Sequence, residues 1–211
     1  IQREKSKSTT KKTWRFVAEN VRDFAFATSR KFIWDAMAVK VGDKTPLAMS
    51  YYPKEGNPLW EKESTMAVKH TLVTYSKYSI NYPYPQATSV HAASLGMEYP
   101  MICFNFGRPN ADGTVSDRVK WGMIGVIIHE VGHNFFPMII NNDERQWTWM
   151  DEGVNTFVQY RTEVENYPDK PIGRGPAANI VPYMKGNPEL QRPLMVNSES
   201  VVRSNFGNEQ Y

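Results

Sequence analysis

The stretch Ser116-Asp-Arg-Val-Lys-Trp-Gly-Met-Ile-Gly-Val-Ile-Ile-His129-Glu130-Val131-Gly132-His133 decides how this chain is read. Ser116 is an N-cap residue type and Asp117 suits a first helical turn. Met123, Ile124, Ile127, Ile128, Val131 and Phe135 then recur at helical intervals, so the spacing predicts a deeply buried helix running to Pro137. Within it His129 and His133 stand at i and i+4, which projects both imidazoles from one face. That spacing lets two histidines share one zinc ion at about 2.0–2.1 Å. Glu130 is offset around the helix, where it can hydrogen-bond a water on that metal. As plain core residues, all three would need partners to offset their desolvation.

A zinc ion used for catalysis takes three protein ligands and leaves a fourth position to water. Trp147-Thr-Trp-Met-Asp-Glu-Gly153 opens a second predicted helix, about Trp149 to Asn166, with Val154, Phe157, Val158 and Val164 apolar. Glu152 lies nineteen positions after His133, and an antiparallel return of this helix brings its carboxylate to the metal. Asp151 is the adjacent rival and is read as an N-terminal cap. Asn155 and Gln159, one and two turns beyond Glu152, share its face. They are candidates for orienting a histidine or for ordinary polar surface.

Upstream of the motif, Trp14–Ala18, Asp23–Thr28, Phe32–Val41 and Pro46–Tyr52 are rich in aromatic and β-branched residues, with a turn at Gly42-Asp43. These predict a sheet. Trp60, Ala67, Val68, Leu72, Tyr75 and Tyr78 mark an amphipathic helix from Leu59 to Tyr78, ended by Asn81-Tyr-Pro-Tyr-Pro85. Ala87–Ala93 and Met97–Phe106 read as further strands, Gly107 to Gly113 as a polar loop, and Ala177–Met184 as one short helix. Strands first and helices afterwards give an α+β domain. A β-rich part spans about 13–110 and a helical, zinc-binding part about 114–211, preceded by a basic tail over residues 1–12 read as a solvated linker.

Composition sets limits on the alternatives. With 211 residues, 41% hydrophobic and 22% charged, the chain is not disordered. The longest apolar run, Trp121 to Ile128, is far short of the roughly 20 residues of a membrane helix. A single cysteine, Cys103, excludes a disulfide framework and a thiolate cluster, and its apolar neighbours suggest an inert core position. The formal charge of +3 comes from the tail, where five Lys or Arg against one Glu make +4 and leave −1 for the rest. A basic tail without a basic face argues against nucleic acid. His70 falls off its helix's apolar stripe and reads as solvated, His91 as a hydrogen-bonded sheet residue. The chain starts at Ile1 with no targeting pattern, so it is read as an excised piece and its compartment stays open.

HEVGH, eighteen intervening residues, and a Glu inside WMDEG together resemble the gluzincin metallopeptidases, specifically the aminopeptidase N family. Gly96-Met97-Glu98-Tyr99-Pro100, with Glu98 thirty-one positions before His129, is similar to that family's Gly-x-Met-Glu-Asn motif. Here Tyr99 replaces the Asn and nothing separates Gly96 from Met97. The resemblance covers roughly residues 13 to 211. It implies a thermolysin-like catalytic domain holding one zinc ion on His129, His133 and Glu152, with Glu130 as general base. It further implies that Glu98, with Gly96 and Met97, binds the α-amino group of a peptide. Tyr211, fifty-nine positions after Glu152, corresponds to the family's oxyanion-stabilising tyrosine, with Tyr160 and Tyr183 as substitutes. The implied activity is aminopeptidase cleavage, with flanking domains in the parent chain. Endopeptidase or epoxide hydrolase activity at the same site, and a non-catalytic interaction module, are the alternatives.

Overall fold

The computed structural model describes residues 2–4, 8–171, 177–201 and 206–211. A five-stranded mixed sheet is built from β3 (Phe32–Ala38), β4 (Leu47–Pro53), β5 (Gln86–His91), β6 (Met97–Tyr99) and β7 (Ile102–Asn105), in the order β3-β4-β5-β7-β6. The two edge pairs are antiparallel and the central ones, β4 with β5 and β5 with β7, are parallel. A parallel pair needs a crossover, and α1 (Leu59–Tyr78) supplies it between β4 and β5. Its predicted face is buried at Trp60, Ala67, Val68, Leu72 and Tyr75, whereas Tyr78 turns outward and donates its hydroxyl proton to Glu165.

Helix α2 (Asp117–Gly132), which carries His129 and Glu130, lies across α1 and β7, with Ser116 Oγ capping Val119 N–H at 3.3 Å. Met123, Ile124, Ile127, Ile128 and Val131 are fully buried, each side chain contributing on the order of 1.5–3 kcal/mol. α2 stops five residues before Pro137, and turns carry the chain through Phe135 and Phe136 back into the core. The chain returns in α3 (Val154–Asn166), which packs on both α1 and α2. The short helices α4 (Val181–Met184) and α5 (Phe206–Glu209) follow.

Several expected strands differ. Met97–Phe106 is a hairpin rather than one strand, because Pro100 cannot continue a ladder and Met101 takes a left-handed conformation at φ 65°. The alternating segment Asp23–Thr28 is irregular, with Phe24 and Phe26 exposed and no ladder partner among the described residues. Alternation without a neighbouring strand does not make a strand. Trp14–Ala18 contracts to β2 (Thr13–Arg15), which pairs antiparallel with β1 (Gln2–Glu4) inside the basic tail.

Candidate metal centre

Three elements meet at the C-terminal end of α2. Gly132 permits the approach: a Cβ there would stand 2.3 Å from the Tyr75 hydroxyl of α1 and 2.3 Å from Asn155 Oδ1 of α3. Those two groups are themselves joined, Tyr75 donating to Asn155 Oδ1 at 2.7 Å. Asn134, the residue after the motif, accepts the Met101 N–H at 2.6 Å and ties down the β6-β7 hairpin that carries Glu98.

Opposite α2, Trp149–Gly153 forms a π-helical turn before α3. A π turn holds more residues than an α turn, so successive side chains are separated by a smaller angle. Asp151 and Glu152 therefore both reach α2. This corrects the expectation of Asp151 as a cap: it is 5% exposed and its Oδ1 lies 2.8 Å from His133 Nδ1.

The atoms that could hold a metal converge. His129 Nε2 is 2.9 Å from Glu152 Oε2 and 3.1 Å from His133 Nε2, and His133 Nε2 is 3.5 Å from Glu152 Oε2. Tetrahedral ligands at about 2.0–2.1 Å from zinc stand about 3.3–3.4 Å apart, close to this triangle. Proton placement fits as well. His133 Nδ1 faces the Phe136 carbonyl at 2.8 Å besides Asp151, and His129 Nδ1 faces Gln159 Oε1 at 2.9 Å. With acceptors at both Nδ1 atoms, the Nε2 lone pairs point at each other, an arrangement that a cation or a proton between them must satisfy. A zinc ion fits this donor set.

Glu130 and Glu98 flank the triangle: ligand-type atoms of Glu98, Glu130 and His133 lie within 4.8 Å of one another. Gly96 sits against Glu130, where an added Cβ would fall 2.3 Å from Oε1, while Met97 beside it is 40% exposed. Burial pushes the Glu130 carboxyl up; His133 opposes this and Glu98 and Glu152 add to it, giving about 8. Burial also opposes charge on Glu152 and His133. The adjacent His129 and His133 nevertheless hold Glu152 well below the usual carboxylate range, and Asp151 and Glu152 hold His133 well above the usual histidine range, so without a metal a proton is drawn into the space between the three ligand atoms.

Tyr211 belongs to this surface. Its hydroxyl donates to Glu152 Oε1 at 2.9 Å, and its ring stacks on His129 with centroids 6.1 Å apart. Tyr183 is instead hydrogen-bonded to Glu209. Outside the centre, His70 is not solvated but packs edge-on against Tyr167, and His91 packs edge-on against Trp60. Cys103 is fully buried, and burial pushes its thiol up.

No protein-family model matches the chain, and a search of curated proteins returns no match. Solved structures do match. A variant of the M1 zinc metallopeptidase from Deinococcus radiodurans is 18% identical with a TM-score of 0.56, covering 78% of this chain and 35% of its own. The same variant bound to a Tyr-ser-ala substrate gives 17%, 0.51, 78% and 35%. Legionella pneumophila aminopeptidase A in complex with aspartic acid is 14% identical with a TM-score of 0.51, covering 64% of this chain and 17% of its own. The chain thus spans about a third or less of these structures. Among the described residues no helix is long and apolar enough to cross a membrane. With the α+β order of its elements, this chain has the fold of an M1 zinc metallopeptidase domain.

Proposed function

We propose that this chain is the zinc-binding core of a metallopeptidase that removes N-terminal residues from peptides, working with flanking domains. The observation that carries the proposal is the triangle of His129 Nε2, His133 Nε2 and Glu152 Oε2 beside the buried Glu130. Bound zinc supplies Lewis acidity, polarising the scissile carbonyl and lowering the pKa of water towards 7. Glu130 takes the proton of the attacking water and delivers it to the leaving amine, a task suited to a buried carboxylate beside the ligand triangle. Glu98, on the hairpin beside it, holds the α-ammonium of the substrate. Two carboxylates this close favour a cation between them. Tyr211 leaves Glu152 and donates to the developing oxyanion. The Tyr-ser-ala substrate bound by one structural neighbour, and the aspartic acid held by another, support a peptidase reading.

The test is metal content together with cleavage of an aminoacyl chromogenic substrate. About one zinc per chain is expected, lost in His129→Ala and Glu152→Ala. Glu130→Gln should keep the metal and lose 100-fold or more in kcat, because general-base removal typically costs about 10²–10⁴. Less than half an equivalent of zinc in the unaltered protein, or loss of metal from Glu130→Gln, would overturn the assignment.

A further inference from the structure

His129 Nδ1 lies between two side chains of opposite demand. Gln159 Oε1, an acceptor, is 2.9 Å away, and Asn155 Nδ2, a donor, is 3.3 Å away. If the acceptor governs, the proton sits on Nδ1 and Nε2 keeps the lone pair that points at Glu152 and His133. If the donor governs, the proton moves to Nε2 and that lone pair is lost.

The orientation of Gln159 is not free. Its Nε2 donates to the Gly125 carbonyl at 3.2 Å and to Glu163 Oε1 at 2.9 Å, both acceptors only. Turning the amide over would set its oxygen against a carboxylate. Glu163 is itself held by Lys170, whose Nζ lies 2.8 Å from Oε2, and both side chains are nearly buried, at 7% and 11% exposure. Buried ion pairs contribute little net stability, but they hold a geometry.

We propose that Gln159, locked by the buried Glu163–Lys170 pair, is a positioning residue that keeps His129 in the Nδ1–H tautomer required for metal binding. This rests on the zinc reading above. Asn155 is the residue it outcompetes: its Nδ2 donates at 2.9 Å to the His129 backbone carbonyl and only at 3.3 Å approaches Nδ1, so the two polar neighbours of His129 have different roles. Partners of this kind typically alter metal affinity by about 10–100-fold.

The test uses the protein stripped of metal, with the His129 tautomer read from imidazole nitrogen shifts at mildly alkaline pH, and zinc affinity read by chelator competition. Gln159→Leu should move the proton to Nε2 and weaken zinc by about 10–100-fold. Glu163→Gln, which frees the Gln159 amide to turn over, should give an intermediate loss. The exchange Gln159→Glu with Glu163→Gln restores an acceptor at Nδ1 and should recover zinc affinity to within about threefold, a coupling that independent losses would not show. An unchanged Nδ1–H tautomer in Gln159→Leu refutes the proposal, and so does wild-type affinity in Glu163→Gln or an exchange no better than Gln159→Leu. If the unaltered protein takes up no zinc, the metal reading falls, while the metal-free tautomer comparison still decides the role of Gln159.

Discussion

Replacing Gly96 by alanine is expected to disable Glu130 without touching the metal. A Cβ at Gly96 would stand 2.3 Å from Glu130 Oε1 and 2.7 Å from Val126 Cγ2, and Cβ atoms do not approach other heavy atoms closer than 3.0 Å. Moving from 2.3 to 3.0 Å requires the carboxylate, or the hairpin, to give by about 0.7 Å. Glu130 is 6% exposed, so it has little room in which to do this without turning from the triangle. A misplacement of about 1 Å at a reacting group costs on the order of 100-fold. We therefore expect kcat to fall by about 10–100-fold, or roughly 1.4–2.7 kcal/mol of barrier. Overpacking should also lower stability by about 1–3 kcal/mol, a Tm loss of about 2–4 °C per kcal/mol. Gly122→Ala, in α2 itself, is the control: its Cβ would meet only Phe106 Cε2 at 3.6 Å, so kcat should hold and the helix should gain up to about 1 kcal/mol. Steady-state kinetics on zinc-loaded protein with metal content measured in parallel decide the matter. A Gly96→Ala protein with kcat within about threefold of the original would refute the placement of Glu130 as base; loss of zinc would show that Gly96 acts through the ligand frame.

Gly132→Ala should be more damaging to the fold, since its Cβ meets the Tyr75 hydroxyl and Asn155 at 2.3 Å and strains the buried hydrogen bond between them. A loss of about 2–4 kcal/mol by urea unfolding is expected, and a change below about 0.5 kcal/mol would contradict the close approach. Glu98→Ala and N-acetylation of the substrate should each reduce kcat/KM by about 10-fold or more and should not add, because both delete one ammonium–carboxylate contact. Additive losses, or cleavage of blocked peptides at internal bonds, point to an endopeptidase. Burial holds His70 and His91 below the usual histidine range. The folded chain then binds fewer protons than the unfolded one, so stability present above about pH 6.5 is lost as the pH falls below it. His70→Asn and His91→Asn should flatten that decline in urea midpoints measured between about pH 7 and 5, and an equally steep decline in both would exclude these groups as its source.

The parts of this molecule legible in its sequence are those where chemistry or packing demands a residue type at a fixed spacing. The i, i+4 histidines can bring their Nε2 atoms to 3.1 Å because that spacing sets both side chains on one face at the end of α2, and the apolar repeat of α2 reports its burial by the same periodicity. Glu152 is readable through the fixed length of the return. The β6-β7 hairpin was hidden because Met101 supports a left-handed backbone that glycine or asparagine would have advertised. Asp151 was hidden by the π turn, which alters the angle between neighbours that an α-helical count assumes.

The orientation of the histidines was hidden for a deeper reason. A donor at Nδ1 needs only an acceptor, and many groups qualify. His129 uses Gln159, while His133 uses the Phe136 carbonyl, with the Asp151 carboxylate 2.8 Å away as an ion-pair partner. A backbone carbonyl carries no residue identity, so no pattern of side chains can announce it. The triangle of His129, His133 and Glu152 is therefore written in spacing, and the tautomers that would make it a ligand set are written in the packing of α2, the π turn and α3. That division explains why the changes expected to be most revealing here, at Gly96, Gly132 and Gln159, fall on residues that are neither metal ligands nor bases.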